Sequence, residues 1–292
     1  MSEVLTVWRG EALLGEGPVW SAAEQALYFV DIKARFVHRI KAETLEVQSW
    51  SSPYEIGCIA PRQSGQWICA HQKGFAFLDL SLRGKVNLTP IAAPEAHLPG
   101  NRFNDGKCDP YGRFWAGTMD NAETAATGSF YLLQKDRAPQ IIDSQYQVTN
   151  GPAFSLDART AYTNDSARRL TYAFDLSADG LPANRRVWLE HDPADGYPDG
   201  MTTDAEGCLW IAFWSGAKVV RFDPHGKRMS AIAVPVPHVT SCAFGGPNLD
   251  RLYITSASVG LTAAEKAQAP LSGAVFACTP GVKGLPAFAY AG

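Results

Sequence analysis

Six segments of this chain answer to one template, and an internal repeat of that kind constrains the fold more than any single motif. They read GEGPVWSAAEQALYFVD, EIGCIAPRQSGQWICAH, FNDGKCDPYGRFWAGT, TNGPAFSLDARTAYTND, PDGMTTDAEGCLWIAFW and TSCAFGGPNLDRLYITS. Each opens on a short apolar stretch, passes a polar turn and continues as a strand rich in aromatic and β-branched residues. The turns carry Ser64-Gly65, Tyr111-Gly112, Glu206-Gly207 and Asn248-Leu249-Asp250, residues that tolerate positive φ or bond their own backbone, as hairpin connections require. The strands after them are predicted at 26–32, 67–71, 113–118, 160–164, 208–214 and 251–255. A third strand follows in each unit, as FVHRI, FAFLDL, GSFYLLQ, LTYAFDL, KVVRFD and GAVFAC. Weaker fourth strands, EVQSWS, KVNLTPI, PQIID, RRVWLE and MSAIAV, read as exposed outer edges.

The sixth unit has no fourth strand of its own, and the N-terminal LTVWR is left over before the first. Together they close a ring with both chain ends in one sheet. Four-stranded units repeated at roughly 40 to 50 residues are the signature of a propeller. The expectation is an all-β, six-bladed β-propeller of four-stranded antiparallel blades, with residues 1–292 as one domain, because the linker a two-domain chain needs is missing. A β-sandwich also has many short strands, but it does not explain why six units share a template.

Composition excludes several partners. The formal net charge is -3, with no long run of one sign, which argues against nucleic acid or an anionic membrane. No apolar run reaches membrane-spanning length, and the N-terminus lacks the pattern of a secretory signal. The six cysteines lie far apart and form no C-x-x-C pair, so they are expected as buried free thiols in a reducing cytoplasm. A monomer acting on a small molecule fits this balance.

In a propeller the first strand of each blade lines the central channel, so the residue opening each template faces the axis. Those residues are Glu16, Ile56, Asp105, Asn150, Asp199 and Ser241. Three carboxylates and an amide in such a ring are costly to bury unless a cation or proton is present. Oxygen donors of this kind suit one divalent ion, with calcium, magnesium, manganese, iron and zinc all admissible. An ion that only ties blades together fits the same ring. Tyr111, Trp115, Trp210 and Trp214 sit at strand positions and read as core, with Trp214 placed to reach the channel mouth. His191, Asp192 and Asp195 fall in a loop rich in Pro, Asp and Gly and read as a solvated face.

Ordered motifs along nearly the whole chain carry a resemblance to a known family. They are LGEGPVW at 14–20, FVDI at 29–32, NRFNDGK at 101–107, AGTM at 116–119, TNGPAFSLD at 149–157, PDGMTTDAEGCLW at 198–210, TSCAFGG at 240–246 and the closing GVKGLPAFAYAG. The chain resembles the regucalcin, or senescence marker protein, group of the gluconolactonase family. The resemblance implies a divalent metal held by Glu16, Asn150 and Asp199, all three of which the repeat had already placed at the axis. It implies substrate contacts from Arg102 and Asn104, and from Glu123 in an E-T-A pattern that here needs one extra residue after Met119. Arg102 also suits neutralising Asp105, and Asn104 capping a turn.

The activity so implied is hydrolysis of a sugar lactone, with the metal polarising the carbonyl and Asp199 as the general base toward water. Two other classes remain open on the sequence: a different metal-dependent esterase or phosphotriesterase, and a calcium-binding regulatory protein without catalysis.

Overall fold

The computed structural model describes residues 3–177 and 181–292. Its strands form six four-stranded antiparallel sheets arranged as a ring, a six-bladed β-propeller. The inner strands run Gly15–Ser21, Ile56–Pro61, Asn101–Cys108, Thr149–Phe154, Tyr197–Thr203 and Val239–Gly245, one for each blade in chain order. Each predicted second strand is present within one or two residues of its expected bounds, for example Ala26–Asp31 and Arg251–Ser256. The weak fourth strands are also formed, at Val47–Ser51, Asn87–Ala92, Gln140–Tyr146, Pro182–Glu190 and Arg228–Ala233, and most of their residues are at least partly exposed.

Ring closure follows the expectation. Leu5–Trp8 supplies the outer strand of the sixth blade and pairs antiparallel with Val275–Cys278, placing Leu5 opposite Ala277 and Thr6 opposite Phe276. This arrangement leaves no break in the ring at which the two chain ends could part without losing a ladder.

Packing occurs between blades, because each sheet buries both faces against its neighbours. Tyr28, Trp50 and Trp67 join the first blade to the second, and Phe75, Phe103 and Phe114 the second to the third. Trp115, Phe130, Tyr146 and Phe154 join the third to the fourth, while Trp20, Phe29 and Tyr253 seal the sixth against the first. Aromatic rings suit these wedges, since each removes about 150–250 Å² from water.

Two of the buried tryptophans are anchored by a carboxylate. Asp109 Oδ2 accepts from the Trp115 indole at 2.8 Å and Arg113 Nε at 2.6 Å, and Asp204 Oδ2 accepts from the Trp210 indole at 2.8 Å and Arg221 Nε at 2.7 Å. All six cysteines are free and buried. Among the described residues no helix is long and apolar enough to cross a membrane.

Two expectations fail. Tyr111 lies at the tip of the turn, 43% exposed, because the strand begins only at Phe114. His191 is buried, with Nε2 2.8 Å from Thr171 Oγ1 and its ring edge-on to Phe213. Its loop neighbours do face outward, with Asp192 capping a short 3-10 turn and Asp195 bonding Lys218 and Arg228.

Candidate functional site

Every inner strand carries a register irregularity that spans or borders its template-opening residue: Glu16/Val19, Ile56/Cys58, Phe103/Gly106, Asn150/Ala153, Pro198/Met201 and Val239/Ser241. A bulge of this kind bends the strand and re-aims a side chain that strict alternation would send into a neighbouring blade. Gly17 and Gly151, next to Glu16 and Asn150, adopt φ of 53° and 80°, which glycine reaches without a Cβ penalty. The fold thus turns acidic and amide side chains toward the axis at one end of the inner strands.

There they line a cavity of ≈ 620 Å³ whose walls include Glu16, Arg102, Asn104, Glu123, Asn150 and Asp199. The six residues singled out by sequence as metal, substrate or catalytic candidates therefore meet in one place. Glu16 and Asp199 hydrogen-bond side chain to side chain. Burial, then the charges of Glu16 and Asp105, hold the Asp199 carboxyl well above the usual carboxylate range, and burial, then Asp105, raises Glu16. Asp105 stands apart from the cavity wall. Its Oδ1 accepts from Gly106 N at 2.7 Å and its Oδ2 from Gly151 N at 3.0 Å, so it fixes the backbone beside Asn150. Ser241 Oγ is buried and has no hydrogen-bond partner among the described residues.

Asn150 is held from both sides. Its Oδ1 accepts from Asn104 Nδ2 at 3.1 Å, and its Nδ2 donates to Ser166 Oγ at 2.8 Å. Asn104 also donates to Thr149 O at 2.7 Å and accepts from Arg102 Nη1 at 2.6 Å, so it belongs to a network and not to a turn cap. Arg102 is buried, and its charge partner is Glu55, at 3.7 Å, in place of the Asp105 pairing the sequence allowed. Burial lowers its pKa.

Glu123 reaches the cavity from an exposed loop in which Asp120 accepts from Ala122 N, Thr124 N and Ala125 N. Glu123 itself adopts a left-handed conformation there, with φ 59°. Trp214 borders the cavity too, stacked at 3.9 Å on His238. Lys33, Gln147, Ser166 and Tyr197 also line the cavity and went unnoticed in the sequence, because they lie just outside the repeat template, Tyr197 as the first residue of its inner strand.

Residues 14–258 match the family described as SMP-30/Gluconolactonase/LRE-like region. The chain belongs to that family. It is similar to regucalcin of Danio rerio, 39% identical over 285 residues spanning 96% of this chain and 95% of that protein. The 6-deoxy-6-sulfogluconolactonase of Pseudomonas putida is 37% identical over 296 residues, covering all of both chains. Among solved structures, a calcium-binding protein, regucalcin, from Agrobacterium tumefaciens superposes with a TM-score of 0.94 at 29% identity, covering 99% of this chain and 97% of that one.

Proposed function

We propose that this family member is a divalent-metal-dependent hydrolase that opens the ester ring of sugar lactones. The observation that carries the reading is the pairing of Glu16 with Asp199 in a cavity that Asn150, Arg102 and Asn104 also line. Two buried carboxylates in contact require a proton or a cation between them. Glu16 and Asp199 would offer an ion two carboxylates, and the Asn150 amide oxygen, which lines the same cavity, would complete that oxygen set. That donor set fits calcium, magnesium, manganese, iron or zinc. When bound, such an ion supplies Lewis acidity toward an ester carbonyl and makes nearby water more acidic.

The side chains do the rest. Asp199 takes a proton from the attacking water as the new bond to the carbonyl carbon forms. The ring C–O bond breaks, and the proton passes to the departing ring oxygen, leaving an open-chain aldonic acid. Arg102 and Asn104 orient the lactone through donors to its oxygens, and Glu123 accepts from a hydroxyl at the rim. The name of the Pseudomonas putida relative supports lactone chemistry, and the calcium-binding description of the Agrobacterium tumefaciens protein supports a cation. That description also favours a second reading, a calcium-binding protein without catalysis. The protein is proposed to work as a single-domain monomer in a reducing cytoplasm on a small molecule; the six buried free thiols favour the reducing compartment, and the closed ring favours the single domain.

The test is hydrolysis of a panel of aldonolactones, with a phosphotriester alongside, by chelated protein before and after each metal is returned. Lactone turnover that vanishes on chelation and returns with metal is expected. Full activity in exhaustively metal-free protein would sink the mechanism, and metal binding without turnover would favour the regulatory reading.

A further inference from the structure

We propose that Lys107 is the fixed counter-charge of the axial carboxylates and sets the ion charge they accept, so that the site takes a divalent ion in preference to a trivalent one. The proposal rests on the metal half of the reading above and adds the residue that selects ion charge.

Lys107 closes the NRFNDGK motif on the inner strand of the third blade, two residues after Asp105. It is not on the wall of the cavity that holds Glu16 and Asp199. It borders a second, smaller space of ≈ 90 Å³, to which all six inner strands contribute through Val19, Ile59, Lys107, Ala153, Thr202 and Ala243. Each of these lies two or three positions after the template-opening residue of its strand, so the space sits on the same axis, one layer further along the channel. Leu285 and Phe288 of the C-terminal segment line it as well. From there the Lys107 ammonium donates to the main-chain oxygen of Met201, two residues after Asp199. A side chain reaches the fifth blade from the third only through the channel, so the cation stands at the axis beside the acidic ring. Its charge acts on both Asp105 and Glu16, against the rise that burial causes in each.

The charged groups around the channel fall into two sets. Lys33 and Arg102 are matched by Glu55 and Glu123, and that set is neutral as a whole. On the axis Glu16, Asp105 and Asp199 carry three negative charges when ionised, against the single positive charge of Lys107. What remains is the double charge that one divalent ion neutralises. Without Lys107 the surplus would be threefold, and a trivalent ion would be the better match. The ammonium also repels any cation bound by its neighbours, and that repulsion grows in proportion to the charge of the ion. Lys107 thus acts through the ring and not on the substrate, as a positioning residue.

The experiment titrates calcium and terbium(III) calorimetrically into metal-free protein and reads the ratio of their affinities. Lys107→Gln removes the charge but keeps a donor for the Met201 oxygen, and it should raise the preference for terbium by about tenfold or more, a factor equivalent to ~1.4 kcal/mol. Lys107→Arg should keep the original ratio. Lys107→Gln combined with Asp105→Asn removes one charge of each sign and should return the ratio toward that of the unaltered protein. If Lys107→Gln does not fold, Lys107→Met carries the same expectation. An unchanged ratio in the uncharged variant, or a double variant that keeps the shifted ratio, would overturn the proposal. Absence of ion binding in the unaltered protein sinks the metal reading, and the counter-charge is then decided by urea unfolding of the metal-free proteins at pH 8. There the double variant should unfold at a higher midpoint than Lys107→Gln alone, because the carboxylate leaves together with its counter-charge. A lower midpoint in the double variant removes the counter-charge.

Discussion

The side chain of Asn104 donates to the Oδ1 atom of Asn150 across 3.1 Å, tying a residue expected to touch substrate to a residue expected to hold metal. On the proposed function Asn104 acts on the metal by fixing the amide oxygen of Asn150. Removing such a partner costs about 10- to 100-fold in metal affinity or activity. Asn104→Ala should weaken divalent metal binding by about that factor, measured by calorimetric titration. An unchanged affinity with only a raised KM would return Asn104 to the role of a pure substrate contact.

Asp199→Asn keeps the size of the side chain and one oxygen for an ion but removes the base. On the proposed mechanism kcat should fall by at least about 100-fold in protein shown by metal analysis to be loaded. A loaded variant with near-normal kcat would make Asp199 a ligand alone.

Asp109 bears on stability without touching the site. It is fully buried, and it accepts from the Trp115 indole, from Arg113 and from the backbone of Tyr111. Asp109→Ala removes the carboxylate that accepts from Arg113 and from the Trp115 indole, a loss of about 3–5 kcal/mol for a broken buried pair. Urea unfolding should show it as a lowered midpoint. A change within experimental error would mean that the turn closes without the carboxylate.

Acid should unfold the protein through three histidines. His38, His71 and His191 are buried, and burial lowers the pKa of each from 6.5 to about 4. The folded state refuses protons that the unfolded state accepts from about pH 6.5 downward. Their contribution is thus complete above pH 6.5 and is lost as pH falls toward 4, at about 1.4 kcal/mol per pH unit for each histidine. The raised carboxyls of Glu16 and Asp199 contribute with the opposite sign over pH 7 to 5, so the histidine term is read as a difference: the unfolding free energy of His191→Gln relative to the unaltered protein should rise by about 1.4 kcal/mol per unit as pH falls below 6.5. A difference that does not change with pH would refute the assignment for His191.

What the sequence determined by itself was everything set by local rules. Strand period, turn chemistry and the leftover LTVWR were enough for six blades and their closure, because each depends on residues close in the chain or on a simple count of strands. The repeat also brought out Glu16, Asn150 and Asp199 together, since equivalent positions in equivalent blades must meet at one axis. The resemblance added Arg102, Asn104 and Glu123, and the fold places all of them in the same cavity. Tertiary structure alone decided the wiring. The bulges that aim Glu16 and Asn150, the turning of Asp105 toward the Gly151 backbone, and the meeting of Lys33, Glu55, Arg102 and Asn121 depend on how four blades and their loops close around the axis. Tyr111 turned outward and His191 inward for the same reason. Exposure in a loop is set by what the neighbouring blade leaves uncovered, and no local pattern of residues encodes that distance.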